Sequence, residues 1–110
     1  MNNLFEVIDK TGRKIRLTRI QFQHVLKHKG MEQYLEEIQN TLKEPLKIVF
    51  RHEENLADYY SHIRNKKLHN YLKVVVKYLN GDGFVITAYF VESIRWTEKW
   101  KFIMMKKQTI

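Results

Sequence analysis

Apolar and polar positions alternate most regularly over residues 70–91. Leu72, Val74, Val76 and Tyr78 fall on one side of a strand, and Tyr71, Lys73, Val75 and Lys77 on the other. After Asn80-Gly81-Asp82-Gly83, residues that tolerate a tight turn, a second run follows. There Phe84, Ile86, Ala88 and Phe90 share a side opposite Val85, Thr87, Tyr89 and Val91. The pattern predicts a long hairpin. Its apolar side needs a cover, and its other side carries lysines, a threonine and tyrosines toward solvent.

The rest of the chain is read around that hairpin. Residues 4–8 and 14–17 are two short strands joined by the polar turn 9–13. Thr18 is a good N-cap, and a helix follows with Ile20, Val25 and Leu26 inward and Phe22 on its flank, closed by Gly30. Residues 31–43 predict a longer helix with Met31, Tyr34, Leu35, Ile38 and Leu42 in one stripe. Glu32, Glu36 and Glu37 suit its N-terminal half, and Pro45 forbids continuation. Strands are expected at 47–52 and 57–64, then a basic loop at 65–69 and a weak edge strand at 99–105. The expected fold is α+β: two N-terminal helices on one face of an antiparallel four-stranded sheet, preceded by a β-hairpin. No repeat or linker divides the chain, so residues 1–110 are read as a single domain with its core at about 14–95.

Composition narrows the function. The 110 residues are 44% apolar and 13% aromatic, enough for a core. Cysteine is absent, which removes a disulfide frame, a thiolate nucleophile and a Cys-based zinc site. No secretory leader or membrane-spanning run is read, so a cytoplasmic location is expected. Twenty Lys and Arg against twelve Asp and Glu give a net charge of +8. On one small domain that favours a polyanionic partner, nucleic acid before a membrane surface.

Two constellations carry candidate chemistry. His24 and His28 lie four apart on the first helix and share a face. A metal would need a third ligand, and the Glu that a metalloprotease places after its first His is missing, so no metal or cofactor is expected. The imidazoles are available for acid–base work or for packing at the helix–sheet seam. The second constellation lies on the hairpin's polar side and its neighbours: Arg51, Tyr60, His62, Arg64, Lys73, Lys77, Thr87 and Tyr89. Tyr60 rather than Tyr59 is expected outward, because Ala57, Tyr59, Ser61 and Ile63 form the less polar set. Metal-free RNA cleavage needs a base for the 2′-hydroxyl, a cation for the phosphoryl oxygens and an acid for the departing 5′-oxygen. These side chains supply all three. The same groups also suit stacking of unpaired bases without chemistry. A nucleophile elbow and a phosphate-binding glycine loop are both absent from the sequence.

The run Gln23-His24-Val25-Leu26-Lys27-His28, then Tyr34-Leu35-Glu36-Glu37-Ile38 and Thr41-Leu42-Lys43-Glu44-Pro45, has a particular order. Tyr59-Tyr60, Val74-Val75-Val76 and Ile86-Thr87-Ala88-Tyr89 follow it. Together they resemble the phage-associated nuclease-like families of the barnase–EndoU–colicin–RelE (BECR) group. The resemblance implies metal-independent RNA cleavage leaving a 2′,3′-cyclic phosphate, in a phage, mobile-element or toxin–antitoxin setting. It matches His24 to the family's helix histidine, Tyr60 to the tyrosine strand, and Thr87 and Tyr89 to the last-strand motif. His28 stands at a second histidine position, but Lys29 follows where the family often has Pro. Arg51, Arg64, Lys67, Lys73 and Lys77 are the expected RNA or phosphate contacts, with Arg51 or Lys67 as the clamp. RNA and an acidic antitoxin or immunity protein are the expected partners. A non-catalytic nucleic-acid-binding module is the competing reading. A third is an oligomer paired through the last strand, with Trp96, Trp100 and Phe102 as contacts.

Overall fold

The computed structural model describes residues 3–28, 30–63 and 71–94. In chain order the elements are β1 (Asn3–Ile8), β2 (Lys14–Thr18), α1 (Arg19–Val25), α2 (Leu35–Lys43), β3 (Lys47–Arg51), β4 (Leu56–His62), β5 (Tyr71–Leu79) and β6 (Asp82–Val91). The described strands form one six-stranded sheet in the order β1–β2–β6–β5–β4–β3. Neighbours are antiparallel except β2 and β6, which run parallel.

This corrects the expected fold. The sheet is mixed and six-stranded, not antiparallel and four-stranded, because the N-terminal hairpin joins it through β2. Lys14, Ile15 and Arg16 pair with Asp82, Gly83 and Phe84. The hairpin has an apolar side of its own, with Phe5, Val7, Ile15 and Leu17 buried, and by joining the sheet it shares the helix cover. Gly83 permits the junction. A Cβ there would lie 2.9 Å from Ile15 Cδ1 and 2.9 Å from the Lys77 carbonyl oxygen, closer than atoms pack.

Both helices are shorter than the pattern suggests. Thr18 caps α1, its Oγ1 accepting from the Gln21 amide at 3.1 Å. The helix stops at Val25 and the chain leaves in turns, His28 N–H bonding the Val25 carbonyl at 3.0 Å, to reach Gly30 at φ +85°. The second predicted helix divides into a 3-10 turn at Met31–Gln33 and α2, with Tyr34 at φ −113° between them. Ile38 and Leu42 of the α2 stripe are fully buried. Thr41, also buried, donates to the Glu37 carbonyl at 2.7 Å and meets Ser61 Oγ at 2.6 Å, which ties α2 to β4.

The helices cover Leu72, Val74 and Val76 of β5, Ala57 and Tyr59 of β4, and Ala88 and Val85 of β6. Val85 was expected on the opposite side. The register of β5 on β6 shifts between Val75, opposite Thr87, and Val76, opposite Val85, so Ile86 is an extra residue. A bulge of this kind reverses the alternation beyond it and turns Phe84 away from the helices. The connecting turn is also tighter than expected. Asn80 at φ 47° and Gly81 at φ 89° make the two-residue turn, and β6 starts at Asp82.

The outer face of the sheet is not the solvated platform that the alternation suggests. Tyr60 is fully buried, and Asp58, Lys73 and Val75 are nearly so. That face has apolar bulk at Val49, Tyr60 and Val75, which favours its withdrawal from water, and its central charges are paired.

Candidate active site

The register of β3, β4, β5 and β6 sets two rows across the outer face. Lys47, Tyr60, Lys73 and Tyr89 stand opposite one another in turn, and so do Val49, Asp58, Val75 and Thr87. Asp58 receives two cations. Arg51 Nη2 donates to its Oδ1 at 2.7 Å, and Lys73 Nζ lies 3.8 Å from its Oδ2. The Lys73 ammonium is also 5.7 Å from the Tyr60 ring centre and 5.6 Å from that of Tyr89. A buried ammonium is tolerable here because a carboxylate and two ring faces replace its water.

An imidazole completes the group. β2 pairs with β6 only over Asp82–Phe84, and α1 packs against β6 beside that pairing. The turns that end α1 carry His28 to Tyr89, with ring centres 4.9 Å apart at 31°. His28 is exposed, and Thr87 and Tyr89 are half-buried on the same outward side of β6. The arrangement therefore presents an imidazole, a phenol and a hydroxyl to solvent, backed by a buried ammonium. Those groups can accept a proton, donate one and bias an approaching oxyanion.

The sequence candidates are only partly brought together. His28, Tyr60, Lys73, Thr87, Tyr89 and Arg51 converge. His24 is exposed on α1, and among the described residues no ring contact or hydrogen bond joins its side chain to this group. The early end of α1 separates the two histidines, so His28 takes the position at Tyr89. Lys77 Nζ donates to the Glu54 carbonyl at 2.6 Å, away from Tyr89. His62 meets Tyr71 edge-to-face at 5.7 Å. Arg64, Lys67, Trp96, Trp100, Phe102 and the predicted strand at 99–105 lie outside the described residues. Sequence reasoning missed Asp58, although a single carboxylate inside the apolar run Leu56-Ala57-Asp58-Tyr59-Tyr60 is a visible signal for a paired cation. Among the described residues no group of three or more His, Asp or Glu could hold a metal ion.

A second polar network lies beneath the helix side of the sheet. Asp9 Oδ1 accepts from Thr11 N at 2.9 Å, Thr11 Oγ1 at 2.7 Å and Arg13 N at 2.8 Å. Its Oδ2 accepts from the Tyr59 hydroxyl, which also meets the Tyr78 hydroxyl at 2.5 Å. Burial raises the Tyr59 phenol far above its ordinary range, and the bonds to Asp9 and Tyr78 add to that. Burial likewise raises Tyr78, while its bond with Tyr59 and the Arg13 guanidinium, 4.1 Å from its ring centre, oppose the shift. Both phenols stay protonated at neutral pH, so this network braces the fold.

An α+β sheet whose edge gathers imidazole, phenol and ammonium groups has the fittings of a nucleic-acid-processing domain. The model of the phage-Barnase-EndoU-ColicinE5/D-RelE like nuclease 2 family matches residues 3–108, and the chain belongs to this family of BECR-type nucleases. No curated protein and no solved structure gives a match.

Proposed function

We propose that this protein is an endoribonuclease that cleaves RNA by attack of a 2′-hydroxyl, without a metal. The observation that carries the reading is the His28 ring on Tyr89, with Lys73 behind it. The His28 imidazole accepts the 2′-hydroxyl proton as that oxygen bonds to phosphorus. Thr87 and the Tyr89 hydroxyl orient the phosphodiester, and Tyr89 supplies the proton to the 5′-oxygen as the P–O5′ bond breaks. The products are a 2′,3′-cyclic phosphate and a 5′-hydroxyl. Lys73 and Arg51, held by Asp58, add positive potential beneath the phosphoryl oxygens. The net charge of +8 supports an RNA substrate, and an acidic antitoxin or immunity protein would complement the same surface.

The test is incubation of purified protein with total RNA in EDTA, beside His28→Ala, Tyr89→Phe and His24→Ala. Cleavage is expected from wild type and from His24→Ala, with a loss of about a hundredfold or more in His28→Ala. Intact RNA with wild type, or equal cutting by His28→Ala, removes the reading. The burial of Tyr60 and Lys73 favours a second reading, a binding module on the same edge without turnover. It predicts salt-sensitive RNA binding with no 2′,3′-cyclic product.

A further inference from the structure

Where the β1–β2 and β5–β6 turns approach the end of β3, a cavity of about 380 Å³ opens among Thr11, Arg13, Phe50, His52, Asn55 and Tyr78, with others. It lies at the opposite end of β5 from Lys73, since Tyr78 pairs with Gly83 and Lys73 with Tyr89. Four flat groups follow one another along it. The His52 and Phe50 rings stack at 5.5 Å and 14°, Phe50 and Tyr78 lie at 6.3 Å, and the Arg13 guanidinium sits 4.1 Å from the Tyr78 ring centre. Phe50 is 38% exposed, although it stands opposite the buried Ala57 on the helix side of the sheet. Arg13 spends one donor on Thr11 Oγ1 at 2.8 Å, and its planar fork has further N–H groups for an oxyanion.

We propose that this cavity binds a nucleotide, the base continuing the His52–Phe50 stack and the phosphate meeting Arg13. The volume fits a ligand of that size, and stacked rings beside an arginine are the chemistry that holds an unpaired base with its phosphate. The nucleotide is either free or one residue of a single-stranded polymer, and the two sources separate experimentally. The site goes beyond the cleavage reading, because occupancy is measurable without turnover.

The experiment follows the His52 and Phe50 ring resonances while the whole protein is titrated with 5′-CMP, with cytidine, with ribose 5-phosphate, and with a short oligodeoxycytidylate that lacks the 2′-hydroxyl. Wild type is compared with Phe50→Ala, Phe50→Trp and Arg13→Gln. Saturable shifts with 5′-CMP, weakened about tenfold in Phe50→Ala and retained in Phe50→Trp, establish a free-nucleotide site. Response to the oligodeoxynucleotide alone, with the same dependence on Phe50, establishes a strand subsite. Ribose 5-phosphate binding as tightly as 5′-CMP overturns the proposal. So does the absence of any response, or unchanged affinity in both Phe50→Ala and Arg13→Gln. Phe50 is outside the buried core, so its variants remain folded for the comparison.

Discussion

Tyr59 of β4 donates its phenol hydrogen to the carboxylate of Asp9, fifty residues earlier in the chain. The bond fastens the β1–β2 loop to the middle of the sheet from inside the protein. Tyr59→Phe keeps the ring and leaves Asp9 Oδ2 without that donor. A loss of about 1–3 kcal/mol is expected by urea denaturation at neutral pH. An unchanged midpoint would show that the loop is held elsewhere.

The same pair sets an alkaline limit. Folding raises the Tyr59 phenol above its unfolded value near 10, so its stabilisation is complete below about pH 10. Above that pH the unfolded chain releases the proton while the folded protein keeps it. Stability then falls by about 1.4 kcal/mol per pH unit for this group, until the folded phenol also ionises. Denaturation midpoints measured from pH 8 to pH 11 should decline, and Tyr59→Phe should decline less steeply.

Gly83→Ala should destabilise by about 1–3 kcal/mol, because its methyl group would press on Ile15 Cδ1 and the Lys77 carbonyl. Hydrogen exchange should locate the damage at the β2–β6 seam. Exchange rising equally across all strands would count against a local clash.

Asp58→Ala leaves the Lys73 ammonium nearly buried without its carboxylate, a change worth about 3–5 kcal/mol. Adding Lys73→Met removes that charge, and thermal denaturation should show the double variant recovering much of that loss. No recovery would mean that Asp58 acts mainly through Arg51.

Much of the local structure is legible in the sequence. The period-two pattern places Tyr59 toward the helices and Tyr60 away from them, and Thr18 marks the start of α1. Tertiary facts override it elsewhere. The β2–β6 pairing joins segments almost seventy residues apart and depends on a missing Cβ at Gly83, which no local pattern records. The bulge at Ile86 leaves the alternation on either side intact and changes only their relative phase. On the outer face Asp58 meets Arg51 and Lys73, three residues on three strands, a pairing that no single segment's pattern records. At the candidate site, residue types and the strand positions of Thr87 and Tyr89 are readable. His28 rather than His24 meets Tyr89 because the helix ends one turn early, which helix-forming pattern alone does not mark.

The extra residue in β6 also governs how this stretch tolerates change. Val85 and Thr87 are two apart yet belong to opposite sides of the sheet, one in the interior and one beside Tyr89. Deleting Ile86 alone would restore a regular ladder and leave both flanks facing as they do now, Val85 inward and Thr87 outward. Loss of that one residue should therefore be tolerated, whereas a one-residue slip in the regular part of the strand would turn its inside outward.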